Sequence, residues 1–222
     1  RGYYLYVGNK NGPGKELVIF DIHNIPNVSL VGALDLDGSP QDFTIVNNYL
    51  YIASDDDNQE LQVVDVNNPI NPILASTFNL TEANSGNDNK NAIAIAINSS
   101  KLGLGREKGT GSELLVFDSS VSSTPVLAGG LNLNGSPRDL KINNNEKVFV
   151  ASNYNSEELQ VVDIFNINNP SLTVAGRELD KLLPARAKVI AIAHGSEGDT
   201  TFLYAVNRQG WTSFEKPLPE MI

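Results

Sequence analysis

Residues 60–65 read Glu60-Leu61-Gln62-Val63-Val64-Asp65: a short β-branched run with one acid at each end. The same pattern stands at Glu16-Leu17-Val18-Ile19-Phe20-Asp21, at Glu113-Leu114-Leu115-Val116-Phe117-Asp118 and at Glu158-Leu159-Gln160-Val161-Val162-Asp163. A degenerate copy, Gly210-Trp211-Thr212-Ser213-Phe214-Glu215, follows near the C-terminus. The spacing defines a repeat of roughly 45 to 50 residues, the length of a propeller blade.

Around each copy lie further strand-like segments separated by Gly, Pro, Asn and Asp. In the second unit they are residues 41–46, 50–53, 61–66 and 73–78. Four-stranded antiparallel meanders in series predict an all-β propeller, with about five blades over residues 3–37, 38–80, 91–134, 135–178 and 187–222 in one domain, 1–222. The first blade is incomplete, because residues 3–7 correspond to a second strand. Gly38-Ser39-Pro40 returns 97 residues later as Gly135-Ser136-Pro137, and Asp21 returns as Asp118, so two blade types alternate. Helical chemistry is confined to residues 178–183, ahead of Pro184.

These repeats resemble the LVIVP-type propeller repeats of bacterial and archaeal surface proteins, some of which carry prepilin-type leaders. Residues 50–53, 60–66 and 68–72 carry the likeness most clearly. It implies an exported domain of mostly unassigned role, displayed at the cell surface or outside the cell. With no set of acid, base and nucleophile in a cysteine-free, Asn-rich sequence, the leading expectation is a non-enzymatic binding or adhesion module on a pilin-like or anchored protein.

Composition narrows the chemistry. The 222 residues include no cysteine, which removes disulfides and thiolate ligands together. Twenty-six acidic against 16 basic residues give a net charge of −10, which repels nucleic-acid phosphate. No apolar run reaches the roughly 18 to 20 residues of a membrane helix, so this segment is not expected to insert. The expected partner is a protein or a glycan, with edge-mediated self-association as a further possibility.

The acids that recur in every unit read as scaffold. A catalytic group is needed once, whereas a turn needs its stabiliser in each repeat, so Asp21, Asp65, Asp118 and Asp163 are expected to bond backbone N–H groups in the following turns. Glu16, Glu60, Glu113 and Glu158 are expected to be solvated strand ends. His23 and His194 fall in expected turns, without an adjacent carboxylate in sequence. The densest acidic loop, Asp55-Asp56-Asp57-Asn58 with Glu60 behind it, makes calcium a possible ligand of Asp55, Asp57 and Glu60, and no other cofactor is expected.

Loops at one end of the blades hold most of the charge. Asp55, Asp56, Asp57, Asn58, Glu82, Asp88, Arg106, Lys108, Tyr154, Arg186 and Arg208 are therefore the expected contact surface. Two other readings compete with a binding module. One is an enzyme of the propeller lactonase, lyase or glycosidase kind, with Asp42 and Asp139 at the channel mouth. The other is a structural spacer or self-assembling unit pairing through residues 3–7 and 211–214.

Overall fold

The computed structural model describes residues 2–80, 89–154, 157–177, 189–197, 200–207 and 210–212, with side chains described up to residue 173. It is all-β and built of five antiparallel sheets. The first sheet comprises β1 (Tyr4–Gly8), β2 (Leu17–Asn24) and β3 (Asn27–Leu34). The second comprises β4 (Pro40–Val46), β5 (Tyr49–Ser54), β6 (Leu61–Asp65) and β7 (Ile73–Phe78). The third holds β8 (Ala92–Asn98), β9 (Lys101–Arg106), β10 (Leu114–Asp118) and β11 (Val126–Leu131). In the fourth are β12 (Pro137–Ile142), β13 (Lys147–Ser152), β14 (Leu159–Asp163) and β15 (Ser171–Arg177). The last described sheet holds β16 (Val189–Glu197), β17 (Thr200–Asn207) and β18 (Gly210–Thr212). Strands are neighbours in chain order in every sheet, the meander of a propeller blade, and each sheet is open. The expected helical turn at residues 178–183 lies outside the described residues.

Each hexapeptide forms the third strand of its sheet, or the second in the first sheet. Its side chains alternate between two sheet faces, both buried in the second, third and fourth sheets, whereas Val18 and Phe20 of the first are part-buried. Leu17, Ile19 and Leu36 of the first sheet meet Leu50, Ile52 and Val64 of the second. Tyr51, Leu61 and Val63 on the second sheet's other face meet Leu102, Leu104 and Phe117 of the third. Leu114 and Val116 then meet Val148, Val150 and Val162 of the fourth. The second and third sheets therefore each have a leading face packed on their predecessor and a trailing face packed on their successor. Burying one such aliphatic side chain contributes roughly 1.5 to 3 kcal/mol, which is what stacks the sheets. The strands β4, β8, β12 and β16 run side by side along the stack.

Turn packing sets the spacing between sheets. A Cβ on Gly32 of β3 would collide with the Pro69 carbonyl oxygen, and one on Gly129 of β11 with the Ile167 carbonyl oxygen. The turn after each third strand thus seats on the outer strand of the preceding sheet. The Tyr51 hydroxyl donates to the Ser122 carbonyl at 2.8 Å, and the Ser76 hydroxyl to the Ser123 carbonyl at 2.6 Å, fixing the same joint between the second and third sheets.

Candidate functional site

The two sets of recurring acids occupy opposite ends of the same strand and behave differently. At the far end, one Oδ1 accepts the N–H two residues on in each repeat: His23 to Asp21 at 2.7 Å, Asn67 to Asp65 at 2.8 Å, Ser120 to Asp118 at 2.8 Å and Phe165 to Asp163 at 2.7 Å. The backbone bond from Ser120 holds the Asp118 carboxyl below its ordinary range, and the Lys147 ammonium does so first for Asp163.

The glutamates correct the expectation of solvated strand ends. Glu16, Glu60, Glu113 and Glu158 are all buried, each with no more than 1% of its surface exposed. Glu16 accepts the Leu36 N–H at 2.9 Å, Glu60 that of Leu80 at 2.9 Å and Glu113 that of Leu133 at 2.7 Å. Glu16 and Glu113 also accept a loop amide, Gly12 at 3.3 Å and Gly109 at 3.1 Å. The carboxyl group ties the loop before its strand to the chain leaving the sheet, and backbone donors offset the cost of burying it. Burial nonetheless pushes the Glu60 carboxyl up, against the lowering bond from Leu80.

The acidic loop is also drawn inward. Asp55 accepts the Ser39 N–H at 2.5 Å and the Gln41 side-chain amide at 3.2 Å. In the fourth sheet Asn153 takes that place, accepting the Ser136 N–H at 2.9 Å. Asp56 accepts the Asn58 N–H at 2.9 Å. The calcium grouping of Asp55, Asp57 and Glu60 is not formed: Asp55 closes the Gly-Ser corner and Glu60 points into the core. Among the described residues no three His, Asp or Glu side chains are placed to hold a metal ion.

The expected contact surface is only partly assembled. Arg106 is buried to 1% exposure at the end of β9, where its backbone N–H donates to the Glu113 carbonyl at 2.8 Å, and this corrects its assignment to the surface. Lys108 is exposed, but its ammonium caps Asn132 at 2.8 Å and the Leu133 carbonyl at 2.7 Å and lies 3.2 Å from Glu113. Asp57, Asn58 and Tyr154 are exposed, and Asp56 is half-buried. Glu82, Asp88, Arg186 and Arg208 lie outside the described residues.

Asp42 and Asp139 stand on β4 and β12. Asp42 accepts the Phe43 N–H at 2.9 Å and, across the joint, the Ile95 N–H of β8 at 2.9 Å. Desolvation raises its carboxyl above the ordinary range, with the Ile95 bond opposing and the nearby Asp139 charge adding. Asp139 pairs with Lys141 at 2.9 Å. With both Asp42 oxygens on backbone donors, this arrangement tethers sheets and offers no free base. Both histidines lie in strands, His23 in β2 and His194 in β16, and not in turns, because β2 continues three residues past Asp21 and β16 runs to Glu197. The His23 ring lies 4.0 Å from that of Tyr3.

One surface feature was missed in the Asn- and Pro-rich turns. Ile25, Ile70, Val121 and Phe165, one for each of the first four sheets, are 59–79% exposed at the end opposite the charged loops. Turn composition hid them, since each sits in a stretch dominated by Asn, Pro and Ser.

Residues 1–35 and 37–80 match the family model described as LVIVD repeat. The resemblance read from the sequence is to LVIVP-type repeats, and the matching model is that of the LVIVD repeat. The chain also resembles the crystal structure of the computationally designed Ika8 protein, with a TM-score of 0.61 and 13% identity over 95% of this chain and 54% of that one. Saccharomyces cerevisiae Sqt1 gives a TM-score of 0.61 and 10% identity over 92% of this chain and 56% of that one. The chain thus spans about half the length of the solved structures it matches. No curated protein matches it.

Proposed function

We propose that this chain is a run of β-propeller blades of two alternating types, acting as a non-catalytic binding or adhesion module displayed at the cell surface on an anchored or pilin-like protein. The observation that supports it is the division of labour among polar residues. Those that recur in every repeat are spent on backbone amides, Glu16, Glu60 and Glu113 at one end of the strand and the four aspartates at the other. Those that differ between repeats, Asp57 and Asn58 against Tyr154, are exposed on loops of a rigid stack, which is where binding specificity is carried. A protein or glycan ligand meets that end.

The test is binding of the chain to a glycan array and to intact cells. Asp57→Ala with Asn58→Ala, and Tyr154→Ala, are expected to reduce binding at least tenfold, while Ile70→Ser and Phe165→Ser leave it unchanged. Loss with the turn variants alone would move the contact surface to the opposite end. Turnover of lactone or glycoside substrates that Asp42→Asn abolishes would replace the reading with an enzymatic one.

A further inference from the structure

We propose that the end of the stack opposite the charged loops rests on an electrically neutral lipid bilayer, its turn tips entering the headgroup layer without crossing it. The contact is independent of the ligand reading above. The four segments that follow the hexapeptide aspartates, residues 22–29, 66–73, 119–126 and 164–171, contain no Asp, Glu, Lys or Arg in a chain that is 19% charged. Among the described residues, more than half of the exposed large apolar side chains fall in these segments, Ile25, Ile70, Ile73, Val121, Val126 and Phe165 included. Apolar side chains gathered at one end of an otherwise acidic molecule mark an interaction surface.

The tips form one rigid surface. The second sheet's turn seats Pro69 on Gly32 of the first, the third sheet's turn is held by Tyr51 and Ser76 of the second, and the fourth sheet's turn seats Ile167 on Gly129 of the third. The tips also leave water at little cost, because backbone donors there are already engaged. Ile70 donates to the Asn68 side chain at 3.2 Å, Thr124 to the Val121 carbonyl at 3.0 Å and Phe165 to Asp163 at 2.7 Å. Each of the four segments includes a proline, which has no N–H to strand.

Spacing argues for a fluid occupant over a second protein. Ile25 stands four residues after its aspartate, Ile70 five, Val121 three and Phe165 two, so each turn keeps an exposed apolar tip while its register drifts. Sockets on a protein partner require fixed positions, whereas lipid closes around any tip that reaches it. Charge sets the lipid class. Behind the tips Lys101 pairs with Glu146 at 2.7 Å and Lys147 with Asp163, which leaves the charge of Asp21, Asp65 and Asp118 at this end among the described residues. Those carboxylates and the net charge of −10 repel an anionic bilayer and leave a zwitterionic one. A single myristoyl chain partitions with only roughly 10⁴ M⁻¹, so four short tips bind weakly and reversibly. The free chain on a glycan array or on dilute cells therefore reads its ligand loops alone.

The experiment is flotation with phosphatidylcholine vesicles at ~1 mM lipid, where partition of that order becomes measurable, beside vesicles rich in phosphatidylglycerol. The chain is expected to float with the first and less with the second at low salt. Ile70→Ser with Phe165→Ser, both exposed, is expected to lower partition at least tenfold with an unchanged circular dichroism spectrum, and Asp57→Ala with Asn58→Ala to leave it unchanged. Because the chain has no cysteine, Asn71→Cys carrying an environment-sensitive fluorophore reports this end alone in an otherwise native chain. Its emission is expected to shift to the blue on vesicles, while that of labelled Asn58→Cys stays put. Absence of flotation by the native chain overturns the proposal. So does flotation that the double tip variant keeps, with the Asn71 label unshifted, since the contact then lies elsewhere. A lipid-free mass above 24.0 kDa that falls to that value in the tip variant makes the occupant another protein surface and overturns it too. Preference for the phosphatidylglycerol vesicles overturns the neutral bilayer.

Discussion

The Glu113 carboxylate is wholly enclosed and accepts the Leu133 N–H at 2.7 Å, spanning twenty residues of chain. It closes the third sheet: the strand that begins beside Glu113 and the segment that leaves β11 are held by one side chain. The same relation joins Glu16 to Leu36 and Glu60 to Leu80, so the repeat is organised around a buried acid as much as around its apolar residues.

Removing that acid is expected to be costly. Glu113→Ala strands the amides of Leu133 and Gly109 and removes the one carboxylate beside the Lys108 ammonium, which keeps Asn132 and the Leu133 carbonyl. The expected loss is on the order of 3 kcal/mol, because buried donors left unsatisfied forfeit their full desolvation cost. Glu113→Gln keeps one carbonyl oxygen and should lose less. Urea unfolding of both variants measures the difference, and a neutral Glu113→Ala would remove the carboxylate from the scaffold.

Gly32→Ala should be worse than Gly14→Ala by about 1 to 3 kcal/mol, the range for forcing a methyl into filled space. The first would meet the Pro69 carbonyl oxygen, whereas nothing lies within 4 Å of the second. Equal thermal shifts for the two variants would contradict the turn-on-strand joint between the first and second sheets.

Asp42 carries a pH dependence of unusual sign for a carboxylate. Its folded value is raised, chiefly by desolvation, so the stability it adds when protonated is fully present below the ordinary range near pH 4 and lost as pH rises through the raised value. Asp42→Asn keeps an oxygen for the Ile95 amide without the charge. Relative to wild type, the variant is expected to gain stability at pH 7 and to gain less at pH 4, read by urea unfolding at each pH. An advantage that grows toward acid would show that the carboxylate is stabilised as an anion instead.

Local chemistry was legible in the sequence and distant chemistry was not. The alternation in Glu60–Asp65 and its copies is enough to place strands, and an aspartate two residues from an open amide declares its turn, because donor and acceptor are sequence neighbours. Glu60 gave no such sign. Its acceptor role depends on Leu80, on the far side of an outer strand, and its burial on sheets stacked against both faces. Arg106 misled as well, since a charged residue beside a glycine-rich loop reads as exposed, whereas it ends β9 buried.

The turn aspartates should act independently. Asp65→Ala and Asp163→Ala each remove the acceptor of an amide two residues on, Asn67 and Phe165, for an expected cost of about 1 kcal/mol apiece. The second also loses the Lys147 contact, which is a third exposed and adds little. The two turns belong to different sheets and share no partner, so the double variant should lose the sum within roughly 0.5 kcal/mol. For Asp163 the sign with pH is opposite to that of Asp42. Its folded value is lowered, first by the Lys147 bond, so its contribution is present above the ordinary carboxylate range and disappears as pH falls through the lowered value. Urea unfolding at neutral pH should therefore separate Asp163→Ala from wild type, and the gap should narrow in acid. If both singles were neutral, the four aspartates would not be holding their turns, and a ring of acids repeated once per sheet would need a functional explanation.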